Sequence, residues 1–342
     1  MDMLWFVVIA TIIVALAFDV INGFHDSANS IATVVSTRVL SPRVAVFWAA
    51  FFNFAAMFVF HNAKVADTVA KVVKIDPNDH AYIYVVLSGL VGAIIWDLFT
   101  WWRGLPTSSS HALIGGFVGA GIAHKGINVV NWIYVERIVA YIPLAPLIGM
   151  IMGFAIMIAL FWIFRRWRPQ SVDKLFRKGQ LLSAALYSLG HGGNDAQKTM
   201  GIIVALLVAA GKMKPSTHLS LFNMETLWII ISCQLAMGIG TAFGGWRIVK
   251  TMGMKITKLK PVGGFAAETA GAMTLFIATH SGIPVSTTHT ITGAIVGVGS
   301  TDKFSSIKWG IATRIVWAWV FTIPFSGIAA ALFFYIVRGF AR

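Results

Sequence analysis

Two similar polar strings, one in each half of the chain, place a carboxylate inside apolar sequence. The strings are residues 23–29 and 192–198, and their carboxylates belong to Asp26 and Asp195. A carboxylate at the depth of a lipid bilayer is energetically costly, so such residues are usually functional. Glycine and polar residues surround both aspartates, which predicts an unwound helix whose free carbonyl groups and carboxylate hold a cation or a proton. A helix cap or an interfacial pairing is the alternative role for each aspartate.

A second pair of strings, residues 106–111 and 284–289, combines proline, hydroxyl residues and a final histidine. We call these two segments the hydroxyl strings, and residues 23–29 and 192–198 the aspartate strings. The hydroxyl strings predict helix N-termini, because proline fits the first helical turn and Ser or Thr hydroxyls cap free N–H groups. Two such ends, each with a positive dipole, would clamp one oxyanion from both sides. Ordinary capping without a ligand is the alternative. The candidate anion-binding residues in these strings are Ser108, Ser109, Ser110, Ser286, Thr287 and Thr288.

The two aspartate strings differ at two positions. Lys198 stands where the first string has Asn29, and His25 stands where the second has Asn194. A buried lysine requires an anionic partner, which either aspartate or a bound anion would supply. His25 adds a group that titrates near neutral pH, with a structural hydrogen bond as its alternative role. We expect Asn29, Asn194 and Lys198 to complete the anion site, and His25 to join the aspartates in proton or cation coupling.

Other polar residues lie in apolar runs outside these strings. Glu268 is a candidate cation ligand or a tie between helices. Asn53 and Gln234 fall at similar positions in the two halves, and we expect them to line the cavity. Asp97 precedes a tryptophan pair, which predicts an interfacial pairing with Arg103.

The composition indicates an integral membrane protein. Hydrophobic residues make up 57% of the 342 residues and charged residues 12%, whereas soluble domains carry about 25% charged residues. Several apolar runs approach or exceed the length of about 20 residues that spans a bilayer, and they lack strand alternation, so we predict helices. These runs are residues 4–20, 44–60, 82–96, 138–164, 226–244 and 311–337.

The net charge and the cysteine content limit which binding partners, disulfides and metal sites we expect. The charge of +14 comes mostly from loops between spans, where basic residues meet lipid headgroups, so we expect membrane lipids and no nucleic acid as partners. The lone Cys233 lies in an apolar run, which excludes a disulfide framework and a cysteine-based metal site. We expect no resident metal and no cofactor apart from a coupling cation.

The duplication predicts how the chain is organised. We expect a first membrane repeat at residues 1–164, a basic cytoplasmic linker at 165–180 and a second repeat at 181–342. The fold class is an all-α polytopic membrane protein with about 10–12 transmembrane segments, containing broken helices or re-entrant hairpins. Five crossings per half would make the repeats inverted and four would make them parallel, and the loop charges do not separate these alternatives. Such duplicated membrane chains are typical of secondary transporters.

The motifs resemble those of the Pit family of inorganic phosphate transporters. Residues 22–33 and 191–201 are similar to its two signature repeats, and residues 104–111 and 282–289 are similar to its Ser/Thr hairpin regions. Residues 265–268 also fit, so the similarity covers essentially the whole chain. The resemblance implies inverted repeats, termini outside, a plasma-membrane location and phosphate symport driven by a cation gradient.

Two departures from the family pattern refine this expectation. His25 replaces an asparagine in the first repeat, and Gln197 and Lys198 replace a common Ala-Asn pair in the second. They resemble the bacterial, proton-coupled, low-affinity members, which are thought to carry neutral metal-phosphate complexes. A fixed ammonium near the site disfavours Na⁺ and favours an anion.

The sequence therefore predicts a symporter that imports inorganic phosphate, free or as a metal-phosphate complex, driven by a proton gradient. Phosphate would bind the hydroxyl strings with Asn29, Asn194 and Lys198, while Asp26, Asp195, His25 and Glu268 handle the coupling ions. The open alternatives are Na⁺ coupling, a sulfate or other oxyanion permease, and, remotely, a membrane-embedded enzyme acting on phosphate groups. The duplication opposes an enzyme, which usually needs one asymmetric set of roles. A homodimer is an open possibility for the assembly.

Overall fold

The computed structural model describes residues 3–60, 64–69, 71–74, 81–214 and 217–340. Within these ranges the chain is helical, and its β-structure is limited to an isolated antiparallel bridge between Val73 and Val130. The α-helices are α1 (Met3–Ser36), α2 (Pro42–Val59), α3 (Lys64–Val69), α4 (Tyr82–Arg103), α5 (Ser109–Lys125), α6 (Trp132–Phe164), α7 (Pro169–Ala209), α8 (Met224–Phe243), α9 (Trp246–Lys250), α10 (Pro261–His280), α11 (Thr287–Ser300) and α12 (Trp309–Phe340).

Among the described residues, seven helices are long and apolar enough to cross a membrane. They are α1, α2, α4, α6, α8, α10 and α12. The helices α5 and α11 are shorter, with 17 and 14 residues, and α7 has 41 residues with a polar beginning. The predicted all-α, multi-pass membrane architecture is confirmed. In a bacterium such a protein lies in the plasma membrane.

The two halves of the chain exchange helices in a reciprocal pattern. Helix α5 of the first half packs on α12 of the second, and α11 of the second packs on α6 of the first. Likewise α1 packs on α8, and α2 packs on α7. Each contact therefore has a counterpart with the halves interchanged, which is consistent with the expected inverted repeats.

The aspartate strings lie in continuous helix, so the prediction of unwound segments around Asp26 and Asp195 was wrong. Helix α1 runs through residues 23–29 and α7 runs through residues 192–198 without interruption. The glycines serve close helix packing instead. A Cβ added to Gly23 would collide with the carbonyl oxygen of Met237 on α8, and one added to Gly192 would collide with that of Asn53 on α2. Small residues allow such backbone contact between membrane helices.

The hydroxyl strings form the connections of two helical hairpins, α4–α5 and α10–α11. Ser108 and Ser286 cap α5 and α11, and each hydroxyl oxygen accepts a bond of 3.2 Å from the backbone N–H three residues later. The prediction of two capped helix N-termini is thus confirmed. The prolines lie earlier than expected: Pro106 and Pro284 precede the caps and belong to the connections. There the chain has already turned at Gly104, whose φ of 66° suits glycine.

The basic segment 165–180 is mostly helical. A four-residue connection, residues 165–168, follows α6, and α7 begins at Pro169. The basic residues from 169 onward therefore lie on the first turns of α7. The division of the chain into repeats at this segment stays a prediction.

Candidate functional site

The two hairpin connections meet where α1 and α7 pass through the protein. The Asn29 amide on α1 donates to the Thr288 and Thr287 hydroxyls, at 2.9 and 3.2 Å. Lys198 Nζ on α7 donates to Ser110 Oγ of the first hairpin at 2.5 Å and to the Val285 carbonyl of the second at 3.0 Å. The structure thus brings the predicted anion-binding strings together around two of the three residues expected to complete the site.

The hydroxyl strings themselves are buried. Ser108, Ser109, Thr287 and Thr288 are each at most 1% exposed, and the rings of the following histidines, His111 and His289, lie 4.8 Å apart.

The Asp195 carboxylate occupies the centre of this donor set. Its Oδ1 accepts a 2.6 Å bond from Lys198 Nζ, and its Oδ2 accepts a 3.2 Å bond from the Thr287 hydroxyl. His191 Nε2 lies 3.3 Å from Oδ2. Asp195 therefore holds, in this conformation, donors that an oxyanion would need. The sequence left two aspartates and a bound anion open as partners of Lys198. Of the two aspartates, the structure pairs Lys198 with Asp195, and a bound anion as its partner stays a prediction.

Asp26 pairs with the histidine that precedes it. His25 Nδ1 lies 2.6 Å from Asp26 Oδ1, and His25 Nε2 lies 3.1 Å from the Thr100 hydroxyl on α4. Thr107, in the first hairpin connection, donates to Thr100 at 2.9 Å. A continuous polar chain therefore connects Asp26 through His25 to the hairpin, which is a geometry suited to proton movement.

Asn194 binds the second hairpin but not the lysine cluster. Its amide donates to the Thr279 hydroxyl at 3.0 Å and to the Ile283 carbonyl at 3.3 Å. Among the described residues, the Oδ1 atoms of Asn29 and Asn194 have no hydrogen-bond partner. Buried acceptors without a donor are costly, so these two oxygens are candidate contacts for a cation or for a protonated oxygen of a ligand.

Three side chains offer ligand atoms for a cation. Oxygen or nitrogen atoms of Asp26, His191 and Asp195 all lie within 4.8 Å of one another, and all three residues are buried. Carboxylate oxygens suit Mg²⁺ and similar hard ions, and imidazole suits transition metals. The expectation of no resident metal stays a prediction.

Glu268 lies in a second buried cluster that joins α10 to α1 and α7. Its Oε1 accepts bonds from Thr33 and Gln180, at 2.5 and 2.9 Å, and its Oε2 accepts one from Ser183 at 2.5 Å. Three donors stabilise the carboxylate without a nearby ion pair in the described residues. The tie between helices is therefore present, and a role of Glu268 in ion coupling stays a prediction.

Sequence reasoning missed Asp19, His191 and Thr100 as residues of the site. Asp19 is fully buried on α1, where its Oδ1 accepts a 2.6 Å bond from Thr199. It lies inside residues 4–20, which we interpret from the sequence only as an apolar membrane span. The argument applied to Asp26, a carboxylate within a span, would have found it.

Asp97 is placed differently from the prediction. It is 0% exposed and forms no interfacial pair with Arg103, which is exposed. The reason is the helix face: Asp97 lies on the buried side of α4. Asn53 and Gln234 contact α7, through His191 and the Gly192 carbonyl respectively.

Taken together, the fold and the site define a multi-pass membrane transporter with a buried, highly polar centre between two exchanged halves. Comparison with known families identifies it further: residues 22–330 match the phosphate transporter family, PHO4. The chain belongs to this family. It is therefore a phosphate transporter and not an enzyme.

Relatives support the assignment over the full length. A protein of Rhizobium meliloti (strain 1021) described as a probable low-affinity inorganic phosphate transporter is 52% identical, covering 96% of this chain and 95% of that protein. A protein of Bacillus subtilis (strain 168) with the same description is 42% identical, covering 99% of both. A solved structure titled the sodium-dependent phosphate transporter has a TM-score of 0.87 at 24% identity, covering 97% of this chain and 99% of that one. That likeness establishes the fold.

Proposed function

We propose that this phosphate transporter is a proton-driven symporter in which Asp195 and phosphate compete for the same donors. The supporting observation is the geometry around Asp195, whose carboxylate takes bonds from Lys198 at 2.6 Å and from Thr287 at 3.2 Å. The carboxylate acts as an internal substitute for the substrate. Phosphate binding therefore requires Asp195 to release Lys198.

Neutralising Asp195 makes that release favourable. A neutral carboxyl attracts the ammonium group far less than a carboxylate does in a buried site, where charge interactions are strong. Lys198 and Thr287 then turn to the phosphate oxygens, and Ser110, already 2.5 Å from Lys198 Nζ, completes a hydroxyl shell with Ser109. Transport is coupled because the anion and the neutralising cation are bound together or not at all. Rocking of the halves would then expose the site to either side.

A proton fits this role better than Na⁺. Lys198 Nζ lies 2.6 Å from Asp195 Oδ1, so the cation that releases Lys198 must first bind Asp195 beside the ammonium group. A proton can do so without the shell of several oxygen ligands that a metal cation requires. The bond between His25 and Asp26 offers a second acceptor in the same region. The similar solved structure is of a sodium-dependent phosphate transporter, so Na⁺ coupling is the alternative for this chain.

A metal-phosphate complex is a second form of the substrate. Once Lys198 has turned to the phosphate, the cluster of Asp26, His191 and Asp195, with ligand atoms within 4.8 Å of one another, would accept the metal ion while the hydroxyl shell holds the phosphate. In this form the metal ion carries the positive charge that neutralises the aspartates. His191 is the residue to test, because its imidazole is the nitrogen ligand of this cluster.

The experiment is uptake of radiolabelled phosphate by proteoliposomes under separate pH and Na⁺ gradients, with Mg²⁺ or a chelator and with excess sulfate as competitor. We expect an inward proton gradient to drive uptake and sulfate to leave it unchanged. Uptake that follows Na⁺ would overturn proton coupling, and uptake blocked by sulfate would show a less selective oxyanion carrier. If Mg²⁺ stimulates phosphate uptake by the wild-type protein and this stimulation is absent in His191→Ala, the transported substrate is the metal-phosphate complex.

A further inference from the structure

A groove of about 1120 Å³ lies between α4 and α12, away from the buried polar site. Its walls are aromatic and aliphatic: Trp96 of α4 stacks on Phe325 of α12, with ring centroids 5.4 Å apart, and Phe99 and Phe321 continue the surface. Such walls suit a hydrocarbon chain, since exposed apolar surface inside a membrane is covered by lipid or by protein.

One end of the groove is basic. Arg103, in the last turn of α4, and Arg314, near the start of α12, both line it, and both are exposed. Neither arginine forms an ion pair with an acidic side chain in the part of the chain that the structure describes. Arg103 lies over the Trp102 ring, 5.6 Å from its centroid, which leaves its N–H donors without a carboxylate acceptor. Two guanidinium groups without a carboxylate partner, beside an apolar channel, match a molecule with a phosphate head and an acyl tail.

We infer that this groove binds one anionic phospholipid, with its phosphate at Arg103 and Arg314 and an acyl chain along the aromatic walls. The two positive charges favour a headgroup with net negative charge over a zwitterionic one. The inference does not depend on which ion drives transport.

The lipid borders the first hairpin connection. Leu105 lines the groove, and the carbonyl oxygen of the next residue, Pro106, accepts a 2.9 Å bond from Trp319 Nε1 on α12. Trp319 stacks on His289 of the second hairpin, with ring centroids 3.9 Å apart. An occupied groove therefore supports α4 and α12 at the point where both hairpins are held.

The test is native mass spectrometry of the purified protein with added phosphatidylglycerol or phosphatidylcholine. We expect phosphatidylglycerol to bind more tightly, and Arg103→Gln with Arg314→Gln to weaken it by about fivefold per arginine, roughly 25-fold together. Arg166→Gln with Arg168→Gln is the matched control, because these arginines are equally exposed but lie outside the groove. Equal binding of both lipids, or unchanged binding by the groove variant, would overturn the proposal.

Two further variants test the occupant independently of the charges. Ala329→Trp fills the groove and should reduce phosphatidylglycerol binding while both arginines remain; unchanged binding would overturn the assignment to this groove. Ile328→Cys places a thiol on the groove wall, and the native Cys233 is buried and does not compete. We expect no disulfide-linked dimer under oxidation in the membrane. Efficient cross-linking would show that a second copy covers the groove.

Discussion

Lys198 Nζ lies 2.6 Å from Asp195 Oδ1, one helical turn away on α7, and the two side chains are 2% and 0% exposed. The same ammonium reaches both hairpins, at Ser110 and at the Val285 carbonyl. The pair is therefore both an ion pair and the link between the two halves of the site. Breaking it by removing one partner leaves a buried charge without compensation.

The first prediction concerns this pair and stability. We expect Lys198→Met to lower the free energy of unfolding by about 3–5 kcal/mol, because it leaves the Asp195 carboxylate buried without a cation. Adding Asp195→Leu should recover most of that loss, which a double-mutant cycle of thermal unfolding in detergent measures.

The matched control for this prediction lies on the same helix. Arg177 and Asp173 form an exposed ion pair of 2.9 Å at the start of α7. Arg177→Met should change stability by less than about 1 kcal/mol, because solvent screens exposed pairs. Equal losses for Lys198→Met and Arg177→Met would contradict the buried pairing.

The second prediction separates coupling from binding. We expect Asp195→Asn to exchange labelled for unlabelled phosphate across proteoliposomes, yet to accumulate little phosphate under a proton gradient. The physical reason is that asparagine cannot bind and release the coupling cation, while Lys198 remains able to hold the anion. Asp173→Asn, exposed on the same helix, should retain both activities. Full gradient-driven accumulation by Asp195→Asn would remove Asp195 from the coupling step.

The third prediction addresses Glu268. Its carboxylate accepts bonds from Thr33, Gln180 and Ser183, and Glu268→Ala leaves these donors without their acceptor. Each unsatisfied buried group costs about 1–3 kcal/mol, so we expect a large fall in thermal stability. Glu225→Ala, in the exposed first turn of α8, is the control. A stable Glu268→Gln variant that loses gradient-driven uptake would instead assign Glu268 to ion coupling.

The fourth prediction tests helix packing at the aspartate strings. Gly23→Ala and Gly192→Ala each add a methyl group that meets backbone of α8 or α2, and we expect a loss of about 1–3 kcal/mol in stability. Gly310→Ala meets no atom within 4 Å and should be neutral. Thermal unfolding of the three variants makes the comparison. Equal behaviour of Gly23, Gly192 and Gly310 would show that the helices do not approach as closely as described.

The sequence predicted the residue types of the site better than it predicted their geometry. Hydroxyl strings before helices predicted the caps Ser108 and Ser286, because capping is a local property of a few residues. The glycines around Asp26 and Asp195 misled the prediction, since the same residue type serves unwound backbone and close helix contact alike. Only the neighbouring helix distinguishes the two cases, and that neighbour is distant in sequence.

Long-range contacts explain the remaining gaps. Asn53 holds His191 near Asp195, although these residues belong to different halves of the chain. Nothing in the local sequence around His191 distinguishes it from a histidine in a structural hydrogen bond. The reciprocal exchange of hairpins between the halves is likewise a property of three-dimensional packing, because hydropathy reports each helix separately.

The measurement that tests the central claim most directly is the equilibrium affinity for phosphate of the wild-type protein and of Asp195→Asn, at one pH and with the membrane gradient absent. If the carboxylate competes with phosphate for Lys198 and Thr287, its removal should tighten phosphate binding by about tenfold or more. Asp26→Asn, which leaves the Lys198 contacts in place, should tighten it less. Equal or weaker binding by Asp195→Asn would contradict the competition between carboxylate and substrate.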